Sequence, residues 1–260
     1  MSVTATSNER QGSGRRVVPL QERSLELTGD EKAIDGRGRL FAPGRLTLEL
    51  LRAERASPPF VYEVFGNGPV ALVIENSATY RSVCRALPTG SPVGLVVFGS
   101  GRAFTSSVAY FGDLRERGIA PSEIRYFGDL DRWGLEIPAD ASLVAADLGL
   151  PPVWPAERLY EHLLDSSIRQ TGAPLEDELA EELVQWLPAS MAARVLGVLT
   201  SGVILKQENV GRDLLEVDGR WSSRDGLGHS VVETTGIHVA HRPDETSPAD
   251  VSAEDRGDSR

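Results

Sequence analysis

The sequence predicts an α/β fold in which a parallel sheet is flanked by helices. Three short apolar runs have the length of buried strands, and they cover residues 69–74, 93–98 and 124–127. Segments with helical spacing of apolar residues separate these runs, and this alternation is typical of a parallel sheet. After a proline-rich stretch at 151–155 the apolar residues follow helical spacing only, so we expect a mostly helical C-terminal extension.

The spacing of apolar residues predicts the helices, and it does so more clearly for some segments than for others. Spacing predicts a short helix within 46–54, one from 77 to 87 and one near 103–117. The segment 135–148 also has helical character, but Pro138 lies inside it and predicts a break or a late helix start. In the C-terminal extension three apolar stripes predict helices, and the second carries acids that we interpret as a solvated face: Glu176, Asp177, Glu178, Glu181 and Glu182.

The ends of the chain are more polar than its centre. We expect residues 1–42 to form a disordered or loosely ordered arm, residues 43–215 to form one domain, and residues 216–260 to form a disordered acidic tail. Three histidines of the tail have spacings that match no helix-borne metal motif, and they are His229, His238 and His241. The single cysteine, Cys84, excludes an internal disulfide and is expected to be a packed thiol.

No apolar run approaches the roughly 20 residues that a membrane span needs, and residues 1–14 lack the apolar centre of a signal peptide. We therefore expect a cytoplasmic, bacterial protein with no membrane partner. The formal net charge is −11, and residues 56–211 contain 19 acidic side chains against 11 basic ones. Proteins that grip nucleic acid alone normally present a basic face, so DNA would be bound weakly without a partner.

Acidic side chains follow two of the predicted strands. Asp129 and Asp131 come after the third strand, and Glu75, followed by Asn76, comes after the first. Ligands of open α/β sheets bind outside the carboxyl ends of the strands, where helix caps also occur, so Asp131 could merely cap the next helix. A capping role does not account for the presence of Asp129. Three neighbouring carboxylates repel one another unless a cation neutralises them, and such oxygen ligands predict Mg²⁺, with Mn²⁺ as a possible substitute.

A glycine-containing turn follows the second strand. Gly99, Ser100 and Gly101 link that strand to the next helix. We interpret this segment as a tight turn, with contact to a phosphate group as the alternative, because it lacks the Lys-Ser/Thr of a P-loop and the full dinucleotide fingerprint.

These motifs together resemble a known family. The Glu-Asn pair after one strand, Phe-Gly-Ser-Gly after the next and Gly-Asp-Leu-Asp-x-x-Gly at 128–134 resemble the Toprim domain, the Rossmann-like metal-binding module of topoisomerases, primases and related nucleases. With Thr79-Tyr80 and Gln207-Glu208 added, residues 43–215 more closely resemble the C-terminal domain family of JetD. JetD is the nuclease subunit of the bacterial Wadjet plasmid-defence system and is related to the A subunit of type IIB topoisomerases.

The resemblance implies roles for individual residues. It makes Glu75 an acid/base group or metal ligand and makes Asp129 and Asp131 ligands of Mg²⁺. It adds Gly134 and Glu208 as accessory positions beside Asn76 and the glycine turn. The implied activity is hydrolysis of DNA as a subunit of a defence system against plasmids or phages, with a condensin-like SMC ATPase complex as partner and a dimer as a possible state.

The sequence also departs from that family. JetD-like proteins carry a large N-terminal region with a winged-helix-type domain that helps to hold DNA, and only about forty residues precede the resemblance here. No residue is placed as the tyrosine nucleophile of topoisomerases, because all five tyrosines fall within or beside the Toprim-like region, where packing or hydrogen bonding is expected. They are Tyr62, Tyr80, Tyr110, Tyr126 and Tyr160.

Two other functions stay open at this stage. The first is a non-catalytic scaffold or regulator that kept the fold and the acids. The second is a phosphohydrolase acting on a small substrate, although enzymes with an aspartate nucleophile usually follow the second Asp with Gly or Thr, and Asp131 is followed by Arg132 and Trp133.

Overall fold

A computed structural model describes residues 16–35 and 38–228 of the chain. The strands, numbered in chain order, are β1 (Val18–Pro19), β2 (Ala53–Glu54), β3 (Val61–Val64), β4 (Val70–Ile74), β5 (Val93–Phe98), β6 (Glu123–Phe127), β7 (Val153–Pro155), β8 (Gln170–Thr171) and β9 (Val203–Ile204). The helices are α1 (Leu20–Thr28), α2 (Leu48–Leu51), α3 (Ser77–Ala86), α4 (Ala103–Ser107), α5 (Tyr110–Glu116), α6 (Arg132–Asp147), α7 (Glu157–Asp165), α8 (Asp177–Val184), α9 (Ala189–Thr200), α10 (Arg212–Val217) and α11 (Arg224–Leu227). Short 3₁₀ turns lie at Gly38–Phe41, Gln207–Asn209 and Gly219–Ser222.

The central sheet has five strands in the order β3-β5-β4-β6-β7. The α/β class and the three expected core strands are confirmed, and β4, β5, β6 and β7 run parallel. The expectation of a parallel sheet holds for the three predicted strands, but the sheet as a whole is mixed, because β3, which was not predicted, pairs antiparallel with β5. Only residues 65–69 join β3 to β4, and a parallel crossover needs a dozen or more residues.

The proline-rich stretch at 151–155, after which we expected helices only, contains the strand β7. β7 pairs with β6 along Ile124 to Tyr126, and the backbone N–H of Ala156 continues the ladder by donating to the Tyr126 carbonyl oxygen at 2.9 Å. Proline is compatible with this position because β7 is an edge strand. With β3, the sheet therefore has two strands beyond the three that apolar runs predict.

Helices cover both faces of the sheet. One face carries α3 and the helices of the C-terminal extension, which pack against Leu72 and Ile74. The other face carries α4, α5 and α6, which pack against Ala71 and Val73. Every residue of β4 is fully buried, and this explains why that strand is a continuous apolar run rather than an alternating one.

Helix α6 continues through Pro138, so the expected break does not occur. The helix begins three residues earlier than the apolar spacing suggests, because the side chain of Asp131 caps it by accepting a hydrogen bond from the Gly134 N–H. The expected solvated acids of α8 are all exposed, as predicted. Among the described helices, none combines the length and the apolar character needed to cross a membrane.

Order extends further at both ends than composition indicates. In the expected N-terminal arm, α1 forms and β1 pairs with β2, because Leu20, Ile34 and Ala53 make a small apolar cluster. At the other end, order continues to Gly228 instead of ending near 215. Trp221 is fully buried there, and its indole N–H donates to the Leu215 carbonyl oxygen at 2.9 Å. The three tail histidines lie outside the described residues.

Candidate functional site

The acidic residues meet where the sheet reverses its direction of winding. The chain leaves β4 toward α3 on one face and leaves β6 toward α6 on the other, so the carboxyl ends of these two strands lie at a topological switch point, where open α/β sheets bind their ligands. The Glu75 N–H donates to the Phe127 carbonyl oxygen at 3.0 Å, and this bond aligns the two strand ends. The predicted acids therefore come to one edge of the sheet.

Glu75 is half-buried and bound by a tyrosine. The hydroxyl of Tyr126 donates a hydrogen bond to Glu75 Oε2 at 2.9 Å. Burial raises the pKa of Glu75 to about 7, while the Tyr126 hydrogen bond opposes the rise, and the nearby charges of Asp129 and Asp131 add to it. A carboxyl group with a pKa near neutrality is suited to taking up and releasing a proton.

Gly128 makes room for this carboxylate. A Cβ atom at position 128 would lie 2.2 Å from Glu75 Oε2 and 2.9 Å from the Tyr126 ring. The Gly128 N–H donates to the buried hydroxyl of Tyr160 at 3.1 Å, so the backbone cannot easily move aside. Any larger residue at position 128 would displace Glu75.

Asp129 is nearly buried, and both of its carboxylate oxygens are engaged. Oδ1 accepts a hydrogen bond from the Gln207 backbone N–H at 2.7 Å and a longer one from the Asn76 side-chain amide at 3.4 Å. Oδ2 accepts from the Lys206 ammonium group at 2.7 Å. The side chain of Asp129 is 9% exposed, whereas that of Lys206 is 32% exposed.

Asp131 caps α6, as one interpretation of it predicted, and also faces Lys206. Its Oδ1 accepts from the Gly134 N–H at 2.9 Å, which caps α6, and its Oδ2 lies 3.3 Å from the Lys206 ammonium nitrogen. A Cβ atom at position 134 would lie 2.1 Å from the Asp129 carbonyl oxygen, so only glycine allows this close approach. The motif Gly-Asp-Leu-Asp-x-x-Gly thus has a structural reason at both glycines.

The segment Leu205–Glu208 closes the site from a distant part of the sequence. Leu205 pairs with Leu130 in an isolated antiparallel bridge. Gln207 is fully buried, donates its side-chain amide to the Phe127 carbonyl oxygen and accepts the Asn76 N–H at 2.9 Å. Glu208 is exposed and accepts from the Asn76 side chain at 3.2 Å. Of the accessory positions, Asn76 and Glu208 are therefore brought together with the acids.

Lys206 lies between the two aspartates as a cation. Burial alone would lower the pKa of Lys206, but its hydrogen bonds with Asp129 and Asp131 and their negative charges outweigh that effect and raise the pKa. An ammonium group therefore partly neutralises the acidic pair.

The glycine turn lies beside the acids and has an unusual backbone. Gly99 donates its N–H to the Ile74 carbonyl oxygen at 2.8 Å, and Ser100 and Gly101 both have left-handed conformations, with φ of 57° and 60°. A left-handed non-glycine residue is uncommon and costs free energy. The following helix α4 has five residues, so this segment is a tight turn with no long helix behind it.

An aromatic and basic surface adjoins the site. The guanidinium carbon of Arg102 lies 4.3 Å from the centre of the Trp133 ring, and that of Arg132 lies 4.8 Å from the same ring. Trp133 is among the exposed large apolar side chains. We call these three residues the Arg-Trp-Arg surface. It combines positive charge with a ring two residues after Asp131.

Comparison with known families supports the resemblance drawn from the motifs. Residues 65–184 match the family model described as Wadjet protein JetD, C-terminal. The chain is thus similar to the JetD C-terminal family over somewhat less than half of its length, and the matched part contains Glu75, Asp129 and Asp131. Lys206 and Gln207 lie beyond the matched residues. No curated protein matches the chain.

The donor set fits a magnesium ion in part. Within residues 16–35 and 38–228, no three His, Cys, Asp or Glu side chains are arranged as a metal-binding group. Two carboxylates do converge on one cation, the Lys206 ammonium, and Glu75 lies beside them. Mg²⁺ is commonly bound by one or two carboxylates together with water and substrate phosphate, so Asp129 and Asp131 could hold it.

Sequence reasoning missed the residues that surround the acids. Tyr126 and Tyr160 were expected to have packing or hydrogen-bonding roles, but their partners could not be known. Gln207 was noted only as part of a family resemblance, and Lys206 was given no role. The polar run at 206–209 between apolar segments was the available signal, and nothing local places it beside strands about eighty residues earlier.

Proposed function

We propose that this chain is a Toprim-type, Mg²⁺-dependent DNA nuclease subunit of a Wadjet-like defence system against plasmids or phages. The observation that carries the proposal is the assembly of Glu75, Asp129 and Asp131 at the switch point of an α/β sheet, inside the segment that matches the JetD C-terminal family.

The residues divide the chemistry between them. Asp129 and Asp131 would hold the metal, which when bound polarises a phosphoryl oxygen and stabilises charge on the leaving oxygen. Glu75, held by Tyr126 and with a pKa near 7, would position a water molecule and accept its proton. Gln207 and Asn76 fix the carboxylate of Asp129 and thereby its direction.

DNA would approach along the Arg-Trp-Arg surface. Arginine side chains contact phosphates, and an exposed tryptophan provides a ring on which an unpaired base can stack. The net charge of −11 opposes DNA binding by the chain alone. We therefore infer that a partner, such as a condensin-like SMC ATPase complex, holds the DNA. We also expect that Mn²⁺ can replace Mg²⁺ as the metal.

The proposal is tested by nicking of supercoiled plasmid with Mg²⁺ or Mn²⁺. Wild-type protein would be compared with Glu75→Gln and with the double variant Asp129→Asn/Asp131→Asn, and Glu178→Gln on the exposed face of α8 would be the matched control. We expect cleavage by the wild type and the control only. Equal cleavage by the Glu75 variant would contradict the assignment.

One observation favours a second candidate function, a non-catalytic scaffold or regulator. Lys206 already neutralises part of the charge of the aspartate pair without a metal ion, as a purely structural site would require. Replacing Glu75 by Gln should leave partner capture unchanged under both functions. The two functions differ in cleavage: a nuclease subunit cleaves as the wild type and stops cleaving as the Glu75→Gln variant, whereas a scaffold does not cleave in either form.

A further inference from the structure

Lys206 contacts both of the aspartates that the proposed function assigns to the metal. Its ammonium nitrogen lies 2.7 Å from Asp129 Oδ2 and 3.3 Å from Asp131 Oδ2. An ammonium group with one positive charge and a divalent ion with two both bind carboxylate oxygens. The two cations therefore compete for the same oxygens.

The remaining oxygens of the pair are already committed to the backbone. Asp129 Oδ1 accepts the Gln207 N–H, and Asp131 Oδ1 accepts the Gly134 N–H. Each aspartate thus has one oxygen bound by the fold and one oxygen bound by Lys206. A metal ion that uses the second oxygens must displace the ammonium group or share them with it.

The backbone on either side of Lys206 is fixed, but its side chain is not. Leu205 is bridged to Leu130, and Gln207 is buried and joins the ends of β4 and β6. The lysine stem is flexible, and 32% of the side chain is exposed, so the ammonium group can leave the carboxylates while the segment stays in place.

We propose that Lys206 is a tethered counter-ion that competes with the divalent metal for Asp129 Oδ2 and Asp131 Oδ2. It stabilises the acidic pair in the metal-free protein and keeps the metal affinity of the free protein low. Metal binding then depends on additional ligands, which the phosphate groups of a substrate provide. This inference rests on the proposed function because it takes the aspartates to be metal ligands.

The chain contains only two lysines, Lys32 and Lys206, and this makes the inference directly measurable. Protein with isotopically labelled lysine has two side-chain ε-methylene signals in NMR spectra. We expect Mg²⁺ to shift the Lys206 signal and to leave the signal of the exposed Lys32 in place. A Lys206 signal unmoved at metal concentrations that saturate the protein would overturn the competition.

Calorimetric titration with Mg²⁺ or Mn²⁺ measures the consequence for affinity. Lys206→Met removes the charge and keeps the apolar stem, and Lys32→Met is the matched control. We expect Lys206→Met to bind metal at least about ten-fold more tightly than the wild type, because no ammonium group has to be displaced. Lys206→Arg keeps the charge and should stay near the wild-type affinity. Equally tight metal binding by the methionine and arginine variants would show that the charge of Lys206 is not what lowers the affinity.

The outcomes separate this inference from the proposed nuclease activity. Tighter metal binding by Lys206→Met, with no plasmid cleavage by any variant even when a fused DNA-binding domain holds the DNA at the site, would support the competition and contradict the nuclease. Metal-dependent cleavage with equal or weaker metal binding by Lys206→Met would contradict the competition and leave the nuclease in place. Absence of metal binding by Lys206→Met as well as by the wild type would overturn the competition, and plasmid cleavage tests the nuclease independently.

Discussion

Gly128 shows how a single missing side chain shapes the candidate site. With a Cβ atom 2.2 Å from Glu75 Oε2, Gly128→Ala should push the carboxylate away from the Tyr126 hydroxyl. We predict that plasmid cleavage falls about a hundred-fold, because small misplacements of a reacting group have effects of that size. The free energy of unfolding should fall by roughly 1–3 kcal/mol through overpacking.

Gly112→Ala is the matched control for that experiment. Gly112 lies inside α5 and has open space where its Cβ atom would be, so alanine should stabilise the helix by up to about 1 kcal/mol and leave cleavage unchanged. Cleavage rates for Gly128→Ala equal to those of Gly112→Ala would contradict the close packing of Glu75.

The carboxyl group of Glu75 also predicts a dependence of stability on pH. Its pKa is raised to about 7 in the folded protein, so its contribution to stability is present below its ordinary pKa and is lost as the pH rises through 7. In the metal-free protein, Glu75→Gln replaces the titrating carboxyl group with a neutral amide, so the variant does not lose stability as the pH rises. We expect the variant to be more stable than the wild type by about 1–2 kcal/mol at pH 8, with little difference at pH 4.

Urea denaturation at pH 4, 6 and 8 in the presence of a chelator measures this difference. Glu178→Gln, on the exposed face of α8, serves as the control for replacing a glutamate with its amide. A difference between Glu75→Gln and the wild type that stays constant from pH 4 to pH 8 would show that the folded protein does not perturb Glu75.

At the scale of elements, Asp218 joins the end of α10 to α7. Its carboxylate accepts hydrogen bonds from Arg158 at 2.9 Å, His162 at 2.7 Å and the guanidinium group of Arg220 at 2.9 Å. The hydrogen bond from Arg220 is the main cause that holds the pKa of Asp218 well below its usual range. The stability from this charge is therefore present above pH 4 and lost at lower pH.

We predict that Asp218→Asn lowers the free energy of unfolding by about 1–2 kcal/mol at pH 7 and by less at pH 3, as measured by urea denaturation. Asp213→Asn, on the exposed surface of α10, should have almost no effect at either pH. If Asp218→Asn lowers the free energy of unfolding by the same amount at pH 3 as at pH 7, the negative charge of Asp218 is not what joins these helices.

The turn after β5 and the start of α6 together form the Arg-Trp-Arg surface, and its two kinds of side chain should act differently on DNA. Arg102→Ala should weaken binding of a DNA oligonucleotide and reduce the slope of log affinity against log salt by about 1, because one phosphate contact is lost. Trp133→Ala should weaken binding to single-stranded DNA without changing the slope, because stacking is insensitive to salt.

Fluorescence anisotropy of labelled oligonucleotides at several salt concentrations measures both effects. Arg115→Ala is the control, since Arg115 lines a pocket with Ser122 and Pro152 at the opposite edge of the sheet, where β6 and β7 begin. Equal losses for Arg102→Ala and Arg115→Ala would show that binding follows total charge and not this surface.

At the scale of the whole molecule, the sheet core could be predicted because β4 and β5 are continuous apolar runs and β6 ends in apolar residues. The edge strands β3 and β7 could not be predicted, because β3 is largely exposed and β7 contains a proline and directly follows two others. The ordered ends were missed for a similar reason. Their stability depends on a few distant contacts, such as the burial of Trp221, and composition does not show such contacts.

The candidate site was predicted only where it follows strands. Glu75, Asp129 and Asp131 are placed by the local rule that strand ends meet at one edge. Lys206 and Gln207 reach the same edge through the bridge between Leu130 and Leu205, which joins parts of the chain 75 residues apart. A pairing of that kind depends on how the C-terminal helices pack, and no local pattern encodes it.

The central claim is that Glu75, Asp129 and Asp131 form a metal-dependent centre for DNA hydrolysis, and weak DNA binding by the acidic chain could hide it. The most direct measurement therefore fuses the full chain to a sequence-specific DNA-binding domain, which raises the effective concentration of DNA at the site. Cleavage is then mapped on a plasmid carrying the cognate sequence, with Mg²⁺ or Mn²⁺.

We predict metal-dependent cuts close to the cognate sequence for the wild-type fusion. The fusion carrying Glu75→Gln should make none, although it binds the DNA and folds as well as the wild type. Intact plasmid with the wild-type fusion at saturating metal and DNA, or cuts that persist at the same positions with Glu75→Gln, would contradict the claim.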